Sequence, residues 1–148
     1  MCRIRVIAFD IYGTVLCEDD PENAMPPRLG FVDFVRLAKE QRIKLTSTSD
    51  ADITNLLLDL SATFGGRAPF GPEIFDRFYR LAMKPKDYSE LLVDFAIRPD
   101  ELMVIGNSED KDLLGAPVSS HRVLVPTYCC AEEGEFDLRQ VMHFCNVS

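Results

Sequence analysis

The chain has 148 residues, is 47% hydrophobic and carries a formal charge of −8. That length suits one domain with one core, and the hydrophobic share is well above that of a disordered chain. No apolar run approaches the roughly 20 residues a membrane helix needs, and an acidic chain lacks the clustered lysine and arginine that nucleic acid requires.

The N-terminus, Met1-Cys2-Arg3-Ile4-Arg5, is slightly basic, but Asp10 interrupts the apolar run behind it. No secretory cleavage pattern follows, so a soluble cytoplasmic protein is expected. The five cysteines (Cys2, Cys17, Cys129, Cys130 and Cys145) are odd in number and contain no CxxC pair. Histidine occurs only at His121 and His143. Neither a disulfide framework nor a zinc site is expected from that pattern, and the thiols read as reduced. The negative charge repels anions at long range. Any anion site must therefore be locally positive, through lysine, arginine, a helix N-terminus or a bound cation.

Residues 3–9 (Arg-Ile-Arg-Val-Ile-Ala-Phe) predict a buried strand ending at Asp10. Residues 11–28 are rich in turn formers and predict a loop or short hairpin. Phe31, Phe34, Val35 and Ala38 recur at helical spacing, and that helix ends near Gln41. Ile43 to Ser47 form a second strand. Ser49-x-x-Asp52 resembles a capping box for a helix carrying Ile53, Leu56, Leu57 and Leu60 on one face. Gly65, Gly66, Pro69, Gly71 and Pro72 mark a loop. Residues 77–82 predict a third strand, and Tyr88, Leu91, Leu92 and Phe95 another helix. Leu102 to Ile105 form a strand that ends at Gly106-Asn107. Asp110 to Ala116 form a short helix, Arg122 to Val125 a fifth strand, and Phe136 to Phe144 a last helix. Strands and helices alternate throughout, which predicts a parallel sheet covered on both faces. Ligands bind at the C-terminal strand ends of such sheets. That rule selects Asp10, the Ser47–Asp50 segment, Lys84 and Asn107–Asp112.

A carboxylate that ends an apolar strand is costly unless something pairs with it. Gly13 and Thr14 follow Asp10: the glycine permits a sharp turn, and the threonine hydroxyl and nearby amides suit an anion. Lys84-Pro85 follows the third strand, and Gly106-Asn107-Ser108 with Asp112, then Gly115-Ala116, ends the fourth. Taken in order, strand–DxxGT, strand–Ser, Lys-Pro–helix and strand–GNS–D–GA resemble the haloacid dehalogenase superfamily from Arg3 to Pro126.

The resemblance implies a three-layer α/β/α, Rossmann-like fold with a mostly parallel five-stranded sheet, as a single domain over residues 1–148. It implies Asp10 as a nucleophile that forms a covalent aspartyl intermediate, oriented by Thr14. A hydroxyl at the second strand end would bind the transferring group; Ser47 is the first choice, with Thr48 beside it, and Ser49 is the rival. Lys84 would neutralise the nucleophile, with Lys86 as its nearest rival. Gly13 would lie against the substrate. Arg28 is a candidate contact for an incoming anion, although an exposed arginine at a helix start is the simpler expectation. A magnesium site would draw on Asp10, the Tyr12 carbonyl and Asn107, with Asp112 or Asp110 through water. Asn107 stands where family phosphatases carry an aspartate, which weakens such a site.

Tyr12 is a second departure, since family phosphatases usually place an acid two residues after the nucleophile. Asp-x-Tyr-Gly-Thr instead resembles the metal-independent 2-haloacid dehalogenases, and Tyr88 faintly echoes a tyrosine of that subfamily. Those enzymes enclose their substrate under a helical cap, whereas residues 11–46 leave room for only a loop and a helix. A capless site is expected, open to a small-molecule or macromolecular phosphate, or covered by a second copy of the chain. The function implied is a phosphatase acting on an ester or anhydride. The alternatives are a carbon–halogen hydrolase and a catalytically weak binding or scaffold protein. His143, Glu18-Asp19-Asp20 and Glu132-Glu133 read as structural or solvated.

Overall fold

The apolar run behind Arg5 forms β1 (Val6–Phe9), whose four residues are all buried. In the computed structural model, which describes residues 4–17, 27–64, 72–129 and 136–144, β1 is the middle strand of a five-stranded sheet. The other strands are β2 (Lys44–Ser47), β3 (Arg77–Phe78), β4 (Leu102–Gly106) and β5 (His121–Leu124). The order is β3-β2-β1-β4-β5, and every pairing is parallel. The helices are α1 (Phe31–Glu40), α2 (Ile53–Phe64) and α3 (Ser89–Phe95). A single π-helical turn spans Glu109–Leu113, and a 3-10 segment spans Leu138–Phe144.

Alternation along β1 divides the core. Ile7 and Phe9 face one side with Leu45, Met103 and Ile105, where Phe31, Phe34, Leu56, Leu60 and Leu138 cover them. The Phe9 ring meets Phe31 and Phe34 edge-on, at centroid distances of 5.5 and 5.3 Å. Val6 and Ala8 face the other side with Leu102 and Val104, under Tyr88, Leu91 and Leu113. Burying one leucine or phenylalanine is worth about 1.5–3 kcal/mol. That exceeds the spread of about 0.7 kcal/mol in ordinary helix propensities. The two apolar faces therefore place α1 and α2 on one side and α3 and the π turn on the other, giving three layers.

This division fixes where a site can form. The chain moves outward from β1 through α1, β2 and α2 to β3, then crosses to the other face and returns to β4 beside β1. The strand order thus reverses between β1 and β4, where open α/β sheets bind ligands at their C-terminal ends. The amide of Asp10 donates to Ile105 O at 2.9 Å, and the amide of Thr48 donates to Phe9 O at 2.9 Å. The β1 end is thereby clamped on both sides.

Several expectations need adjustment. The sheet is wholly parallel rather than mostly so. Of residues 77–82 only Arg77 and Phe78 belong to the ladder. The amides of Tyr79 and Leu81 still donate to Ser47 O and Ser49 O, at 2.8 and 3.0 Å. The helix expected over Asp110 to Ala116 is the single π turn, closed by Leu114 N donating to Glu109 O at 2.8 Å. The cap of α2 is Asp52 and not Ser49. One Asp52 carboxylate oxygen accepts the amides of Thr54 (2.9 Å) and Asn55 (3.3 Å), whereas Ser49 Oγ accepts the amide of Ala51 in its own turn. The Gly65–Gly71 loop, Glu18-Asp19-Asp20 and Glu132-Glu133 lie outside the described residues. Among the described residues there is no cap domain, and no helix is long and apolar enough to cross a membrane.

Because Asp52 carries the cap, Asp52→Ala should cost about 1 kcal/mol of stability, read as a lower urea midpoint with an unchanged slope.

Candidate active site

Asp10 sits at the β1 end with 8% of its surface exposed. Three neighbours engage its carboxylate. Thr14 Oγ1 donates to Oδ2 at 3.2 Å, Lys86 Nζ donates to Oδ1 at 3.0 Å, and the same ammonium lies 2.7 Å from Asp112 Oδ1. Lys86 is thus a buried cation bridging two buried carboxylates. Asp112 is held in turn by the amide of Ser108, which donates to Oδ2 at 3.1 Å.

The bridge is assembled by contacts distant in sequence. Lys86 N donates to Lys111 O at 2.9 Å, which ties the loop before α3 to the π turn. A Cβ on Gly115 would fall 1.9 Å from Lys86 O, so the turn approaches this closely only with glycine there. The Tyr88 hydroxyl donates to Asp112 O at 2.7 Å. Tyr88 is therefore a buried support for this turn rather than a group facing substrate.

Burial pushes the Asp10 carboxyl up to about 6, with Asp112 reinforcing the shift and Lys86 opposing it. Burial works against the Lys86 ammonium, but the two carboxylates outweigh it and hold its pKa above the ordinary lysine value. The Tyr12 phenol is raised by burial, and further by Asp59, which accepts its proton in a hydrogen bond. Tyr12 is consequently a poor proton donor.

A cavity of about 370 Å³ opens above Asp10. Tyr12, Asp50, Lys86, Asn107, Ser108, Lys111, Asp112 and Thr127 complete its lining. Sequence reasoning gave no role to Asp50, Lys111 or Thr127. Asp50 and Lys111 lie within the strand-end segments it selected, but Thr127 carried no signal of its own. Lys111 Nζ pairs with Asp50 Oδ2 at 3.3 Å, with both side chains about half exposed.

Other predicted residues fall elsewhere. Lys84 is exposed and off the cavity, so the neutralising position belongs to its rival, Lys86. Ser47, Thr48 and Ser49 are buried and do not line the cavity. Among the described residues Ser47 Oγ finds no partner, while Thr48 Oγ1 donates to Phe9 O at 3.2 Å. The segment reaches the cavity through Asp50 instead. Arg28 is neither an exposed helix-start arginine nor a cavity residue; it is 3% exposed. Its Nη1 donates to the carbonyls of Gly13 and Thr14 at 3.4 and 3.5 Å, and its guanidinium stacks over Phe136 and Tyr128. It supports the first loop from behind. Gly13 has φ +86°, and a Cβ there would meet Asn107 Nδ2 at 2.4 Å. Glycine is required for that packing, and no substrate contact follows from it.

Of the metal donors the resemblance implies, Asp10, Tyr12 and Asn107 all line this cavity. Thr14 Oγ1 lies 3.2 Å from Asp10 Oδ2 and 3.5 Å from Asn107 Oδ1, so the two donors flank one hydroxyl. Hard oxygen donors with one carboxylate fit a magnesium ion that keeps several waters. Asp112, expected to join through water, lines the same cavity while Lys86 and the Ser108 amide contact its two oxygens. Among the described residues no three His, Cys, Asp or Glu side chains cluster as a metal site.

No family model matches the sequence, and no curated protein does. Solved structures share the fold. An uncharacterized protein from Listeria monocytogenes serotype 4b superposes with a TM-score of 0.63 at 13% identity, covering 97% of this chain and 100% of its own. The N-terminal part of a Bacteroides fragilis protein, containing a phosphatase domain complexed with Mg, gives 0.60 at 11% identity over 84% of this chain. The match spans 37% of that second chain. At such identity the likeness establishes the α/β fold.

Two outcomes test the electrostatics. Lys86→Met leaves two buried carboxylates face to face and should cost about 3–5 kcal/mol. The loss should shrink as pH falls and one of them protonates, whereas Lys84→Met should change little. Asp10 has a folded-state pKa above its unfolded value. Its stabilising contribution is therefore full in acid and lost as pH rises through about 6. Asp10→Asn should accordingly unfold at higher denaturant than the native protein at pH 8, and the gap should close below pH 4.

Proposed function

We propose that this protein is a phosphatase-type hydrolase of the haloacid dehalogenase kind, with Asp10 as nucleophile. The observation that supports it most is Lys86 bridging Asp10 and Asp112 at the reversal of strand order. In this reading an Asp10 oxygen attacks phosphorus and the bond to the leaving oxygen breaks. Water then hydrolyses the aspartyl phosphate, returning Asp10 and releasing phosphate. Thr14 orients the carboxylate, and Lys86 offsets charge that builds on the phosphoryl oxygens. A magnesium ion held by Asp10, the Tyr12 carbonyl and Asn107 would neutralise the phosphoryl group when bound. The Mg-bound phosphatase domain with the same fold supports this choice of cation.

Position 12 supplies no effective acid, because the Tyr12 hydroxyl is committed to Asp59. General acid help is typically worth roughly 10²–10⁴-fold. Substrates whose leaving groups depart without a proton, such as acyl and aryl phosphates, fit this site better than alkyl esters. The open cavity admits a phosphate on either a small or a macromolecular carrier.

The test is hydrolysis of acetyl phosphate, an aryl phosphate and an alkyl phosphate, with magnesium and with EDTA. Turnover of the first two should need magnesium, exceed the alkyl ester by about 10²-fold or more, and vanish in Asp10→Asn. Release of halide from 2-haloacids that survives EDTA would replace this reading with carbon–halogen hydrolysis. Silence on both panels would leave a binding role.

A further inference from the structure

We propose that Lys111 is a specificity residue that binds a second anionic group on the leaving-group side of the substrate, with Asp50 as its resting counter-ion. This rests on the phosphate-hydrolysis reading and narrows its substrate class to phosphates that bear a second negative charge, such as a carboxylate or another phosphate. Among the described residues lining the cavity the cations are Lys86 and Lys111. Lys86 is fully engaged, with buried carboxylates at 3.0 and 2.7 Å, and the fold keeps it there. Lys111 differs in every respect. Its side chain is 52% exposed, and its partner Asp50 is 45% exposed at 3.3 Å. A pair so exposed holds weakly against water and competing ions, so an incoming anion can take the place of Asp50.

The backbone beneath Lys111 is fixed. Its amide donates to Ser108 Oγ at 3.2 Å, and its carbonyl accepts the amide of Lys86 at 2.9 Å. One peptide segment therefore sets both lysines, the inner one at the nucleophile and the outer one at the rim. The cavity of about 370 Å³ corresponds to roughly a dozen waters at about 30 Å³ each. That is more room than one phosphoryl group fills. Asp50 also has a selective effect: a neutral leaving group gives Lys111 no reason to leave its carboxylate, whereas an anionic one compensates for the exchange.

The experiment measures binding of two inert phosphonates to the native protein in magnesium buffer by calorimetry. Methylphosphonate carries the phosphonate alone, and phosphonoacetate adds a carboxylate. Phosphonoacetate should bind about tenfold more tightly or better, as expected for one added charge-assisted contact. Lys111→Ala and Lys111→Gln should abolish that preference, Lys111→Arg should restore it, and Asp50→Asn should enlarge it. Lys44→Ala, which removes a charge at the opposite end of β2, should leave the preference as it is. Equal binding of the two ligands, or a preference that survives Lys111→Gln, would overturn the proposal. The measurement needs no turnover. A lysine-dependent preference in a protein inactive on the phosphate panel would retain the anion site and remove the hydrolase reading.

Discussion

One buried ammonium organises this molecule. Lys86 sits between Asp10 and Asp112 where β1 and β4 end side by side. Placing three charges out of water is expensive, and a buried ion pair rarely stabilises a fold as much as apolar residues of the same shape would. A core designed for stability alone would not contain this triad. Its surroundings are arranged to hold it: the Ser108 amide on Asp112, the Thr14 hydroxyl on Asp10, and the Lys86 amide on Lys111 O. Every segment that contributes a polar group to the cavity touches this network directly or through one bond. The burden falls on the sheet, whose two apolar faces are closed tightly enough to carry an unfavourable centre.

The same network explains what the sequence made legible and what it concealed. β1, β4 and α1 were readable because periodicity and burial coincide: Phe31, Phe34, Val35 and Ala38 form one stripe, and all are buried. Asp10 was readable because a carboxylate at the end of an apolar strand has few innocent explanations. Lys86 was harder. A lysine followed by proline fits the family pattern at Lys84, and choosing between the two requires the contact between Lys86 and Lys111, 25 positions apart in the chain. Ser49 resembled a cap by spacing, but spacing does not say which of two side chains faces the free amides, and Asp52 does. Arg28 misled for another reason. Burying a guanidinium needs an aromatic platform, and Tyr128 and Phe136 come from the far end of the chain.

The open cavity and the absent acid at position 12 are consistent with each other. An enclosed site excludes water and makes every charge count for more. Here the inner charges are dry and the outer pair is wet, so electrostatics grade from strong at Asp10 to weak at Asp50 and Lys111. Such a gradient suits chemistry whose demanding step occurs deep in the cleft and whose recognition occurs at the surface.

The support of the first loop carries a consequence for how the chain folds. Arg28 contacts Phe136 and Tyr128, the Tyr128 amide donates to Gly13 O at 2.7 Å, and the Leu138 amide donates to Leu29 O at 2.9 Å. Gly13, Arg28 and Leu29 are therefore propped by residues a hundred or more positions later in the chain. The turn after the nucleophile is braced only when Tyr128, Phe136 and Leu138 dock. Contacts of such long sequence separation slow folding through the entropy of closing the loop. Bracing of the site is thus a long-range event in folding.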